Sequence, residues 1–89
     1  MKEELNEMET TIRGMVAAII EVEPDAIGAD AKFVDDLGAD SMSALELMAR
    51  VEKHYGIVIL PENLPKMRTV RQVAALAGEL VAKKKPANA

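Results

Sequence analysis

The sequence predicts an all-α fold: a small antiparallel bundle of three main helices, a minor helical turn before the last, and a long loop between the first two. Three observations predict it. Apolar residues recur at spacings of three and four in three separate stretches of the 89-residue chain. Apolar residues make up 49% of the chain but only Phe33 and Tyr55 are aromatic, so the core is aliphatic, drawn from helix formers such as Leu, Ala and six Met. The one β-branched run, Ile57 to Leu60, has no second strand to pair with. The length suits one domain, and residues 1–82 are read as that domain, with 83–89 a basic, flexible tail.

The first helix is expected over residues 3 to 20, where Leu5, Met8, Ile12, Met15, Val16 and Ile19 form one stripe and Pro24 lies just beyond. Gly14 interrupts it at a cost of about 1 kcal/mol against Ala, which predicts a neighbour packed close there. Residues 22 to 40 carry no period. Ile27, Phe33, Val34 and Leu37 are read as anchors that pin this connection to the core. The second helix should start after Asp40, an N-cap, and run from Ser41 to Tyr55, with Gly56 as a left-handed stop. Ala44, Leu47, Met48, Val51 and Tyr55 make its core stripe. Met42, Leu45 and Ala49 make a second apolar stripe beside Glu46, a face offered to a neighbour or a partner. Ile57 to Leu60 is read as a buried extended connector, and Pro61 and Pro65 bracket a helical turn around Glu62 to Leu64. Thr69 with Gln72 three residues on is a capping-box pattern. Val70, Val73, Leu76, Ala77 and Leu80 then form the last helix face. Lys83, Lys84 and Lys85 complement its negative end, and Pro86 stops it.

Charge and composition exclude several classes of function. The chain has no Cys, which removes disulfide scaffolds, a cysteine nucleophile and thiolate metal sites. No apolar run reaches the roughly 20 residues of a membrane-spanning helix, and Met1 to Glu9 lacks the order of a signal peptide, so a soluble cytoplasmic protein is expected. The net charge is −4, unevenly spread. Glu21 to Glu46 holds eight acids and one base, whereas Arg50 to the end holds eight bases and three acids. The acidic half is a poor nucleic-acid surface and a suitable one for basic patches on protein partners.

Self-contained catalysis finds no support. The single His, His54, lies thirteen residues along the same helix from Ser41, roughly 20 Å away, and Gly-Ala-Asp-Ser-Met is not a hydrolase elbow. Asp35, Asp36 and Asp40 fail the EF-hand spacing, which leaves at most a weak divalent-cation site. What remains is Ser41 itself, at the first turn of a helix with its hydroxyl expected to face out. A phosphoester there would meet the positive helix end, although Asp36 and Asp40 oppose it, so an external enzyme would have to install the group. By physics alone, an ordinary helix-start serine is the favoured reading.

The run from Phe33 to Met42 (Phe-Val-Asp-Asp-Leu-Gly-Ala-Asp-Ser-Met), followed by Leu45-Glu46-Leu47, resembles the modification motif of the acyl carrier proteins. The similarity spans roughly residues 8 to 82. It implies a four-helix bundle with a long first loop and a short third helix. It further implies a non-enzymatic, monomeric carrier in which Ser41 receives 4'-phosphopantetheine from coenzyme A through a phosphopantetheinyl transferase. The arm would hold acyl chains as thioesters for acyl-transfer and synthase enzymes with basic docking patches. Asp40, Met42 and Glu46 match positions where the family meets its partners, and Asp36, Leu45 and Ala49 are read as part of the same face. Two departures stand out. Met42 replaces the Leu usual in fatty-acid members, and the second helix carries Arg50, Lys53 and His54 where those members are acidic. A polyketide, peptide or specialised-lipid pathway therefore stands beside fatty-acid synthesis. Met15, Met48 and Met67, with small residues at Ala74, Ala75, Ala77 and Gly78, suggest room for a chain beside the last helix. A non-covalent helical adaptor using the second helix is the alternative function.

Overall fold

The computed structural model describes residues 2–84, with side chains from residue 6 onward. It consists of helix α1 (Lys2–Ile20), α2 (Ser41–Tyr55) and α3 (Val70–Lys84), with a short 3-10 helix, Pro61–Lys66, before α3. The fold is all-α, and no strand occurs among the described residues. The expected side chain of Leu5, together with Lys85, Pro86 and most of the tail, lies outside the described residues.

Each long helix ends for a local reason. α1 closes with Glu21 at φ 60°, a left-handed residue, and Val22 N–H reaches back to the Ala17 carbonyl at 3.0 Å. That is the long hydrogen bond of a Schellman cap. α2 repeats the device with Gly56 at φ 64°, ψ 41° and Ile57 N–H on the Glu52 carbonyl at 3.1 Å. α3 opens with a modified capping box. Thr69 Oγ1 accepts from Gln72 N–H at 3.1 Å, but Gln72 Oε1 reaches one residue past the cap to Arg68 N–H at 3.0 Å.

α1 packs on both α2 and α3. Ile12, Val16 and Ala17 from α1 meet Leu47 and Val51 from α2 and Val70, Val73, Ala74, Leu76 and Ala77 from α3 in one core. The connector alternates. Ile57 and Ile59 are buried while Val58 and Leu60 face out, and Ile59 N–H is satisfied by Glu52 Oε2 at 2.7 Å. Extended backbone with period-two burial needs no partner strand when a helix side chain supplies the acceptor.

The long loop is tied down, with differences from expectation. A 3-10 turn, Pro24–Ala26, occupies part of it, favoured by Pro at its first position. Ile27 and Phe33 are buried and Leu37 packs partly, but Val34 is 60% exposed and is not an anchor. The cause is a helical turn: Asp36 N–H and Leu37 N–H both bond the Lys32 carbonyl and Gly38 N–H bonds that of Val34. Residues 33 and 37, four apart, then share the inner face and 34 turns outward. Ala39, buried, is an additional anchor. Phe33 N–H donates to the Arg68 carbonyl at 2.8 Å and Arg71 N–H to that of Ala29 at 3.0 Å, so the loop is clamped to the start of α3. Arg13 Nε bonds the Ile27 carbonyl at 2.9 Å from the other side. Two smaller expectations are corrected. Gly14 is exposed with nothing within 4 Å of a Cβ built on it, so no close packing explains it. Pro65 sits inside the 3-10 helix rather than bracketing it.

Candidate functional site

Ser41 is the first residue of α2 and is exposed, two residues after buried Ala39. Three local bonds fix this geometry. Ala39 N–H donates to the Phe33 carbonyl at 2.8 Å. Asp40 Oδ1 accepts from Ser43 N–H at 2.9 Å and from Ser43 Oγ at 3.1 Å, capping the helix. The Ser43 backbone bond, with that of the Ser43 hydroxyl next, holds the Asp40 carboxyl below its ordinary range. Ser41 Oγ makes no hydrogen bond among the described residues. The positive end of α2 favours a phosphate on that oxygen, while the Asp40 carboxylate has already taken the Ser43 amide.

Beside Ser41 lies a groove of about 510 Å³, within the usual range for a small-ligand pocket. Its apolar walls come from Phe33, Val34 and Ala39 of the loop, Ala44 and Leu45 of α2, and Leu64, Pro65 and Met67 around the 3-10 helix. Lys32, Asp35, Asp40 and Arg68 bring charge to it. This groove is not the room expected beside the last helix, because no residue of α3 lines it. Of the three Met singled out, Met67 lines it, whereas Met15 and Met48 pack against the core and Ala74 and Ala77 are inside it. Leu64, Pro65, Lys32 and Arg68 were not foreseen. They come from segments far apart in the chain, and no local pattern marks them.

The remaining residues singled out in the sequence are all exposed. Asp36 is exposed in the loop, its Oδ2 accepting from Lys32 N–H at 2.8 Å. Met42 is 71% and Leu45 45% exposed, with Glu46 and Ala49 exposed beside them on α2. Glu46 Oε2 is held by Arg50 at 2.9 Å, one turn on. His54 is exposed, its ring edge-on to Tyr55 with centroids 4.6 Å apart, and distant from Ser41 along α2. No three His, Asp or Glu side chains converge as a metal site among the described residues. No helix among them is long and apolar enough to cross a membrane.

Residues 10–77 match the family described as the phosphopantetheine attachment site. The chain belongs to this family, that of the acyl carrier proteins. The acyl carrier protein of Streptomyces coelicolor is 40% identical over 72 residues, covering 80% of this chain and 78% of that one. The acyl carrier protein of Akkermansia muciniphila is 37% identical over 70 residues, covering 79% and 88%. The fold is also that of the HMG-ACPI domain from the CurA module of Lyngbya majuscula, solved by NMR. That domain superposes with a TM-score of 0.77 over 91% of this chain and 82% of its own, at 24% identity. An acyl carrier protein is a carrier of a phosphopantetheine arm and not an enzyme, and it works with phosphopantetheinyl transferases and synthase enzymes. The residues around α2 fit such a group. They offer an unengaged hydroxyl at a helix start and an apolar groove next to it, on a chain with no thiol of its own.

Proposed function

We propose that Ser41 is the residue that bears 4'-phosphopantetheine. The observation that carries this reading is the exposed, unbonded hydroxyl at the tip of α2, set between the clamped loop and the apolar groove. In the transfer, the Oγ–H bond breaks and its proton passes to a base of the transferase. An Oγ–phosphorus bond forms, and the adenosine bisphosphate half of coenzyme A leaves. His54, the one imidazole of the chain, lies far along the helix and does not serve as that base. Its part is to present Ser41 on a capped, rigid helix start and to place the α2 dipole behind the new phosphodiester. When bound, the arm supplies the thiol that holds an acyl group as a thioester. The groove walls of Ala44, Leu64 and Met67 offer an apolar resting place for such a cargo.

Docking is assigned to Asp36, Asp40 and Glu46 as charges and to Met42, Leu45 and Ala49 as contact. Exposed charges are screened over roughly 8 Å at physiological salt, so affinity for a basic partner should weaken as salt rises. Residues 1–82 act as the carrier unit, monomeric and cytoplasmic, in fatty-acid synthesis or a related polyketide or specialised-lipid route. Kinship with carriers named simply acyl carrier protein supports the first route. The basic second half of α2 favours a dedicated partner set over a general one.

The test is intact-mass spectrometry of the apo protein incubated with coenzyme A and a phosphopantetheinyl transferase. One arm is gained by the native chain and none by Ser41→Ala. A Ser41→Ala protein that still gains an arm overturns the assignment. The mass of the protein isolated from its own cells then reads the cargo and the route.

A further inference from the structure

The exposed face of α2 changes sign along its length. At 100° per residue, Met42, Glu46, Ala49 and Lys53 fall in one row about 60° wide. The row begins beside Ser41 and ends at Lys53, about 16 Å further on at 1.5 Å per residue. Around its start stand Asp40, next to Ser41, and Asp35, which lines the same groove, both exposed. Asp40 is kept charged by its bonds to Ser43. In its middle, Glu46 is paired with Arg50 at 2.9 Å, both side chains half-exposed. At its end, Lys53 is exposed and joins no ion pair among the described residues, with exposed His54 next to it. The row is therefore acidic, then balanced, then basic, with the apolar contacts Met42 and Ala49 in it and Leu45 at its side.

From this we infer that the phosphopantetheinyl transferase serving this chain has a docking face of two signs: basic around Ser41 and acidic opposite Lys53. The inference rests on the reading of Ser41 as the attachment residue. A standard interface covers about 800 Å² per partner, a disc roughly 16 Å in radius. Centred on Leu45, such a disc takes in Ser41, about 6 Å one way along the helix, and Lys53, about 12 Å the other, so a partner seated on Leu45 covers both ends of the row. A uniformly basic face would meet Glu46 already paired and Lys53 as a like charge, which costs specificity and association rate. A face with an acid at its far end meets complementary charge throughout and fixes the direction of α2 across the partner.

The experiment measures kcat/KM of the transferase from the same cells on the apo chain and on Lys53→Glu and Lys53→Gln, at low and high salt. Lys53 is exposed on the surface, and circular dichroism checks that the variants keep the helical fold. Lys53→Glu is expected to lower kcat/KM about tenfold at low salt and Lys53→Gln about threefold, with both losses shrinking at high salt. An acid-to-Lys change on the transferase that restores Lys53→Glu identifies the opposing residue. If the native chain is modified and Lys53→Glu is equal or faster, the two-signed face is wrong while the Ser41 assignment stands. If the native chain gains no arm at all, both fall together.

Discussion

Asp40 and Ser43 are joined twice, by the Ser43 N–H at 2.9 Å and the Ser43 hydroxyl at 3.1 Å, both to the same Asp40 oxygen. One carboxylate thus starts the helix that carries Ser41. Asp40→Ala should lower the urea midpoint, and Asp40→Asn should keep most of it, because Asn caps about as well as Asp. The pH dependence has a definite sign. The folded carboxyl is held below its ordinary value, chiefly by the Ser43 amide. Its stabilisation is therefore present above the ordinary carboxylate value and is lost as pH falls through the lowered one. The gap between the native protein and Asp40→Ala should close in that acid window, as urea titrations across the range would record.

Ile12 is fully buried where α1 meets the other helices. Ile12→Ala should cost about 2–5 kcal/mol and Ile12→Val about 0.5–1.5 kcal/mol. In a domain whose whole stability is about 5–15 kcal/mol, the first change brings the protein near its unfolding threshold. Chemical denaturation measures both.

Gly56 sits at φ 64°, and a Cβ there would lie 2.7 Å from Lys84 Nζ, the flexible end of a side chain that bonds the Tyr55 carbonyl. Backbone strain rather than crowding should govern substitution. Gly56→Ala is expected to cost about 1 kcal/mol and Gly56→Asn less. Adding Lys84→Met to Gly56→Ala should not recover the loss, which thermal unfolding of the double variant would establish.

Loading the arm with a long saturated acyl chain should shift methyl resonances of Ala44, Leu64 and Met67, which line the groove. Those of Ile12 and Val73, sealed in the core, should stay in place. Shifts at Ile12 and Val73 with a silent groove would put the cargo between the helices instead.

The ends of α2 were legible because each is set by one residue acting locally. Asp40 needs only an amide three residues on, and Gly56 needs only its own freedom at positive φ. The capping pattern at Thr69 was readable for the same reason. Its outcome differs by one residue because Gln72 is long enough to reach Arg68. Val34 misled because a hydrophobic residue in an aperiodic stretch carries no sign of its direction. Only the turn that bonds residues 36 and 37 to Lys32 decides that it faces out. The groove was the least legible feature. Ser41 was marked by its neighbours in sequence, but the walls beside it come from residues 32–35, 39–45 and 64–68, brought together by the Phe33–Arg68 backbone bond. A cavity bounded by three separated segments leaves no trace in any one of them.

One residue, Asp40, separates buried Ala39 from exposed Ser41, and both flanks of that step are bonded in place. An enzyme that acts at this tip meets a helix start already held by its own hydrogen bonds. Free loop residues would each cost about 1–2 kcal/mol to immobilise on contact. Here folding has already removed that freedom, so encounters can be brief and weak and still be productive, as suits a shuttle that must leave each partner as readily as it arrives.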